Sequence, residues 1–275
     1  MNPHRLNRAR RRATAVPLRR LVPNFLTIIS LCSGLASLHF SLQMDWDRAL
    51  SAIAVAAVFD MLDGGAARLL RAASRFGAVL DSLSDFVSFG VAPALMLHQW
   101  MLKEAGALGL AATMIFALCA AMRLARFTSA RKSNPASPLS KFFIGLPTPA
   151  AAGIVLIPVM LATAKNVGYR LPDWIVILHT FFIAWLMISR QPCFSLKKLR
   201  VKRGLIVPLM VCVGLVVVSA AKDPWSTAVL LASLYLLSIP LCIMVYRRLK
   251  QEFAAQTGAA GAASSRSNGV ELPPR

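Results

Sequence analysis

A membrane's hydrocarbon core, roughly 30 Å thick, is crossed by a helix of about 20 apolar residues, and this chain offers eight apolar runs of about that length. The first, Pro23 to Leu42, follows an arginine-rich segment that ends at Arg20. The others cover approximately 49–70, 76–100, 105–126, 142–164, 171–189, 205–221 and 226–246. A cleaved signal peptide has a shorter apolar core and a small-residue cleavage site, so the first run reads as a membrane span with Pro23 in its first turn. Composition points the same way. Of the 275 residues 57% are hydrophobic and 15% charged, with a mean hydropathy of +0.61, whereas soluble domains carry about 25% charged residues. A soluble fold would lack the polar surface to cover so much apolar mass. The expected fold class is all-α, a polytopic membrane helix bundle of about eight transmembrane helices.

The net charge is +20, from 31 Lys and Arg against 11 Asp and Glu. Placed against the eight runs, every Lys and Arg except Arg48, Lys103, Lys165, Arg170 and Lys222 falls on the side of the N-terminus. Cytoplasmic loops carry such an excess, so both termini are expected in the cytoplasm. The basic charge is then a topology signal. Few aromatic residues are interleaved with it as a stacking platform for single strands requires, and no nucleic-acid partner is expected. The stretch Lys197 to Arg203 suits contact with anionic lipid headgroups. Cys32, Cys119, Cys193, Cys212 and Cys242 form no CxxC and read as packing residues, and the four histidines show no metal-ligand spacing.

Acidic residues separate into two groups. Asp45, Asp47, Glu104, Asp173, Asp223, Glu252 and Glu271 lie in connections or tails, whereas Asp60, Asp63, Asp81 and Asp85 lie inside the second and third apolar runs. An aspartate at the centre of a membrane helix costs about 2.5–3.5 kcal/mol, or roughly 10–14 kcal/mol for four. A cost of that size marks a functional site and calls for a cation. Asp60 and Asp63 are spaced i,i+3 and Asp81 and Asp85 i,i+4, so each pair shares a helix face, and two facing helices can aim four carboxylates at one point. Hard oxygen ligands without His or Cys suit Mg2+ or Mn2+. Asp60 precedes Arg68 by eight residues, about 12 Å of helix, which places the cluster in the cytoplasmic half of the membrane.

The residues between the two pairs fit a phosphate-bearing ligand. Gly64, Gly65, Ala66 and Ala67 taken alone read as tight helix packing. Taken with the acids and with Arg68, whose guanidinium can fork onto a phosphate, they read as a place where a nucleotide approaches the backbone. A cation-coupled transporter is the non-enzyme alternative, but it would spread its acids over two repeat halves, and no partner half follows Asp85 in this chain.

Read together, Asp60-Met-Leu-Asp63-Gly64-Gly-Ala-Ala67-Arg68 followed by Gly77, Asp81 and Asp85 resembles the signature of the CDP-alcohol phosphatidyltransferase family. That signature is D-x-x-D-G-x-x-A-R, eight residues, then G-x-x-x-D-x-x-x-D, and every fixed position matches. The resemblance implies six core helices, a homodimer and two divalent ions, Mg2+ or Mn2+. It implies Asp60, Asp63, Asp81 and Asp85 as metal ligands, with Asp85 also the general base. Gly64, Ala67, Arg68, Ser74 and Gly77 take the nucleotide and the lipid diphosphate. The chain then divides into a basic cytoplasmic segment (1–20), the family's membrane core (21–190), a basic loop with two additional transmembrane helices (191–250) and a disordered tail (251–275).

Three stretches are similar to the phosphatidylserine synthase branch of that family: Leu80-Asp-Ser-Leu-Ser-Asp-Phe-Val-Ser-Phe-Gly-Val-Ala-Pro-Ala94, Met122-Arg-Leu-Ala-Arg-Phe127 and Gly145-Leu-Pro-Thr-Pro-Ala150. Thr128 departs from it, since that branch commonly has Asn there. The branch implies transfer of the phosphatidyl group from CDP-diacylglycerol to the L-serine hydroxyl, releasing CMP, by an enzyme of the cell (inner) membrane whose active site faces the cytoplasm among membrane lipids. Choline, inositol or glycerol phosphate is the alternative acceptor, and a covalent phosphatidyl-aspartate the alternative route. Arg123 and Arg126 offer cations for an acceptor carboxylate or a phosphate, or serve only as cytoplasmic anchors. The polar connector Thr128 to Lys141 either covers the site or simply joins two spans.

Overall fold

Apolar length and the placement of proline decide which of these runs become single helices. The computed structural model describes residues 21–72, 74–130, 143–164, 171–189, 192–193, 206–240 and 244. Segment 1–20, residues 131–142 of the polar connector, the basic stretch Lys197 to Arg203 and the tail 251–275 lie outside the described residues. Four described helices are long and apolar enough to cross a membrane. These are α1 (Leu21–Leu42), α2 (Trp46–Leu69), α3 (Arg75–Leu102) and α4 (Gly106–Ala130). The chain is thus a multi-pass helical bundle.

The later runs give shorter helices. The run at 142–164 is not one helix: α5 (Thr148–Val155) and α6 (Ile157–Thr163) meet at Leu156, with φ −85° and ψ 0°. Pro158 cannot donate a backbone bond and its ring crowds the preceding turn, which breaks the helix there. Three further helices follow: α7 (Asp173–Ile188), α8 (Ile206–Lys222) and α9 (Pro224–Pro240). The described strands are β1 (Phe143–Ile144) and β2 (Pro192–Cys193), a two-residue antiparallel ladder. They leave the all-α description intact.

α1 packs along α2 and against α3. Its buried residues are Pro23, Thr27, Ser30, Gly34, Ser37 and Ser41, recurring every three or four positions. Such a stripe of small side chains lets helix backbones come close, which is how helices associate where lipid offers no hydrophobic drive. Ser30 Oγ donates to the Ala56 carbonyl of α2 at 2.9 Å, and Ser88 Oγ of α3 donates to the Ser30 carbonyl at 3.3 Å. The backbones approach closely at Gly34, where an added Cβ would lie 2.9 Å from Ser88 Cα. Gly34→Ala is expected to cost about 1–3 kcal/mol by overpacking, measured as a lower thermal unfolding temperature in detergent.

α3 is irregular. It is α-helical over Arg75–Asp85, π-helical over Phe86–Val91, α-helical over Ala92–Leu97 and π-helical again over His98–Leu102. π-turns insert extra backbone into a helix and gather at functional sites; here the first begins directly after Asp85. The core beneath is formed by Leu50, Phe89, Met96, Leu97, Phe116 and Ile183 among others. Large apolar side chains such as Leu35, Met61 and Leu118 stay exposed, the outward surface that a lipid solvent requires. α9 docks on this core through Trp225, Val229 and Tyr235, and Trp225 Nε1 donates to Asp47 Oδ1 at 2.6 Å.

Candidate active site

The two aspartate pairs are brought together by a turn of very few residues. α2 ends in a Schellman arrangement: the Ala72 N–H bonds the Ala67 carbonyl at 3.0 Å and the Arg71 N–H the Arg68 carbonyl at 3.3 Å, with Arg71 at φ 49°. Ser74 then caps α3, its Oγ accepting from the Gly77 N–H at 2.9 Å. The cap satisfies a donor left open by the helix start. An added Cβ on Gly77 would meet Asn24 Oδ1 of α1 at 2.8 Å, so the absence of a side chain there lets the start of α3 lie against α1.

Carboxylate oxygens of Asp60, Asp63 and Asp81 all lie within 4.8 Å of one another. Ligand oxygens around one octahedral Mg2+ at about 2.1 Å are separated by roughly 3.0–4.2 Å, so the three are close to the spacing a single hard cation requires. Asp85 stands beside them, its side chain within hydrogen-bonding reach of Asp60. Its Oδ1 is buried and receives no hydrogen bond among the described residues. A buried carboxylate oxygen without a donor is costly, and a cation would relieve it. Asp63 is the most enclosed of the four, 4% exposed, and accepts a 2.5 Å bond from Thr27 Oγ1 of α1.

Among the described residues, nothing stands over Gly64 and Gly65. An added Cβ on Gly64 or Gly65 would find no described atom within 4 Å, and Arg68, one turn on, is exposed. Among the described residues nothing gives Gly64 or Gly65 a packing role, and open space lies above the backbone there. Ala67 is half-buried, within the last turn of α2.

Arg123 and Arg126 lie toward the end of α4. Arg123 Nη1 donates to Thr148 Oγ1, a fully buried hydroxyl at the start of α5. Arg126 is exposed and donates to the Ile188 carbonyl at 3.4 Å. Gly145, at φ 88°, supplies the turn between β1 and the Pro147-Thr148 start of α5, a conformation that favours glycine. Between α3 and α4, Ser82 Oγ and Thr128 Oγ1 are 3.1 Å apart, which puts the unusual Thr128 next to a neighbour of Asp81.

Residues 20–189 match the family model described as CDP-alcohol phosphatidyltransferase. The chain belongs to that family. Its curated relatives include proteins named CDP-diacylglycerol–serine O-phosphatidyltransferase. The one from Mycobacterium leprae is 31% identical over 225 residues, 82% of this chain and 75% of the relative. That from Mycobacterium tuberculosis is 30% identical over 233 residues, 84% and 81% of the two chains. A third, from Helicobacter pylori, is 31% identical over 198 residues, covering 72% and 82%. CDP-alcohol phosphatidyltransferases use divalent metal ions, and the acid cluster spanning α2 and α3 is where this chain offers hard oxygen ligands. Thr27 and Ser84 join that site without being evident from sequence: the Ser84 hydroxyl donates to the Thr27 carbonyl at 3.3 Å. The signal for Thr27, hydroxyls spaced three or four apart along α1, is indistinguishable from ordinary helix packing.

Proposed function

We propose that this protein is a membrane CDP-diacylglycerol–serine O-phosphatidyltransferase, forming phosphatidylserine and CMP. The observation that carries the reading is the convergence of Asp60, Asp63 and Asp81 from two helices, in a chain whose relatives over most of its length bear that name. Asp60, Asp63, Asp81 and Asp85 would hold two divalent ions, Mg2+ or Mn2+. When bound, such ions neutralise the diphosphate and stabilise the departing phosphate of CMP.

The chain's own residues then do the rest. The open backbone at Gly64 and Gly65 admits the nucleotide, Ala67 leaves the same face low, and Arg68 forks onto the diphosphate. Ser74 and Gly77 shape the adjoining start of α3 around the lipid side. Asp85 accepts the proton of the serine hydroxyl, which is far too weak an acid to ionise alone at neutral pH. The serine oxygen bonds to the lipid-side phosphorus as the anhydride P–O bond breaks, and that electron pair leaves with CMP. Arg123, oriented by Thr148, and Arg126 offer positive charge for the acceptor carboxylate. Fixed positions for both reactants supply much of the acceleration.

The same reading places eight spans in the cell's inner membrane, both termini and the site on the cytoplasmic side. It gives a core over 21–190, two appended helices within 191–250, flanking segments 1–20 and 251–275, and a homodimer. Acceptor-dependent CMP release by the purified protein, with CDP-diacylglycerol and Mn2+ or Mg2+, tests it. L-Serine alone among serine, choline, inositol and glycerol 3-phosphate is expected to release CMP. Release with another alcohol instead would keep the chemistry and overturn the acceptor.

A further inference from the structure

The acids, the nucleotide face and the two arginines all project from α2, α3 or α4 or their connections, yet the most enclosed carboxylate is held from α1. Thr27 is 3% exposed. Its Oγ1 lies 2.5 Å from Asp63 Oδ2 and 3.0 Å from the Pro23 carbonyl. A hydroxyl has one proton to give. A bond to an ionised carboxylate is the stronger and falls at about 2.5–2.7 Å, so that proton goes to Asp63 and the Pro23 contact is secondary. On its other side, the Thr27 carbonyl accepts from Ser84 Oγ at 3.3 Å, and Ser84 is the residue before Asp85. One turn further along α1, Ser30 repeats the pattern toward α2 and α3. A single residue of α1 thus touches the aspartate-bearing segments of both α2 and α3.

We infer that Thr27 is a positioning residue for the ion site, fixing the orientation of the Asp63 carboxylate and, through Ser84, the separation of the two aspartate pairs. The inference rests on reading the four aspartates as a divalent-cation site. With Oδ2 committed to Thr27, Asp63 presents one geometry to an ion instead of swinging about its side-chain torsions. Outer partners of this kind set ligand orientation and hence affinity. A threonine serving only to fill the helix interface would have no such effect on ions.

Thr27→Val keeps the shape and removes the hydroxyl; Thr27→Ser keeps the hydroxyl. Both are compared with the unsubstituted full chain in detergent, by titration with Mn2+ followed by electron paramagnetic resonance and by thermal unfolding. Thr27→Val is expected to need at least about tenfold more Mn2+ for half-saturation, with Thr27→Ser returning toward the unsubstituted value. Unaltered Mn2+ affinity in Thr27→Val with a lower ion-free unfolding temperature would make Thr27 a packing residue and overturn the inference. So would equal weakening by valine and serine. Should the valine variant not fold, Thr27→Ala against Thr27→Ser draws the same distinction. Asp63→Asn separates the two readings: if it loses Mn2+ while Thr27→Val does not, the ion site stands and the role of Thr27 falls. No saturable Mn2+ binding by the unsubstituted protein would remove both.

Discussion

Asp85→Asn is expected to slow serine-dependent CMP release by about three orders of magnitude while leaving the ion-free protein at least as stable as before. Asp85 lies against Asp60, with one oxygen buried and lacking a donor. The amide has the same shape but cannot accept the serine proton and is a poor ligand for a hard cation. Crowded carboxyl groups disfavour one another's ionised form. Removing one therefore relieves strain that the site carries for its function. Opposite movement of the two quantities is the diagnostic, because a residue that merely braces the bundle loses activity and stability together. Initial rates and ion-free unfolding temperatures from one preparation decide it, and activity within about tenfold of the unsubstituted protein would end the role of Asp85 as base.

How much of this is legible in the sequence depends on how each feature announces itself. Four aspartates in apolar runs are visible because the membrane makes them costly, and their i,i+3 and i,i+4 spacing already aims each pair. The long helices α1 to α4 are equally plain, since hydropathy averaged over about 20 residues measures what a span requires. That same averaging hides the break at Leu156, although Pro158 stands in the sequence. The π-helical turns after Asp85 are silent, because a mostly apolar run carries too weak a period for a shift to show. Ser74 and Gly77 read as ligand contacts, and the structure gives them local work as well, a cap and a close approach to Asn24. Thr27 cannot be recognised: its partner lies 36 residues away, and a threonine in a membrane helix ordinarily bonds its own preceding turn.

Gly64 separates substrate access from packing. Most helical glycines either make room for a neighbour or weaken the helix, and Gly34 is of the first kind, close against Ser88. Gly64 is not, since an added Cβ would meet nothing within 4 Å. Leucine at that position should therefore fold without clash and gain up to about 0.8 kcal/mol of helix propensity, an unchanged or higher unfolding temperature. Its side chain would occupy the space beside Asp60 and Asp63 through which a nucleotide must approach, and kcat/KM for CDP-diacylglycerol is expected to fall by about two orders of magnitude. Gly214→Leu is the control. It too has nothing within 4 Å, but it lies on α8, whose neighbouring side chains are exposed, and there the same substitution should leave turnover unaffected. If Gly64→Leu retained full kcat/KM, the open face of α2 would not be the nucleotide's path. Arg68 would then have to engage the diphosphate from the α3 side, across the turn that Arg71 closes.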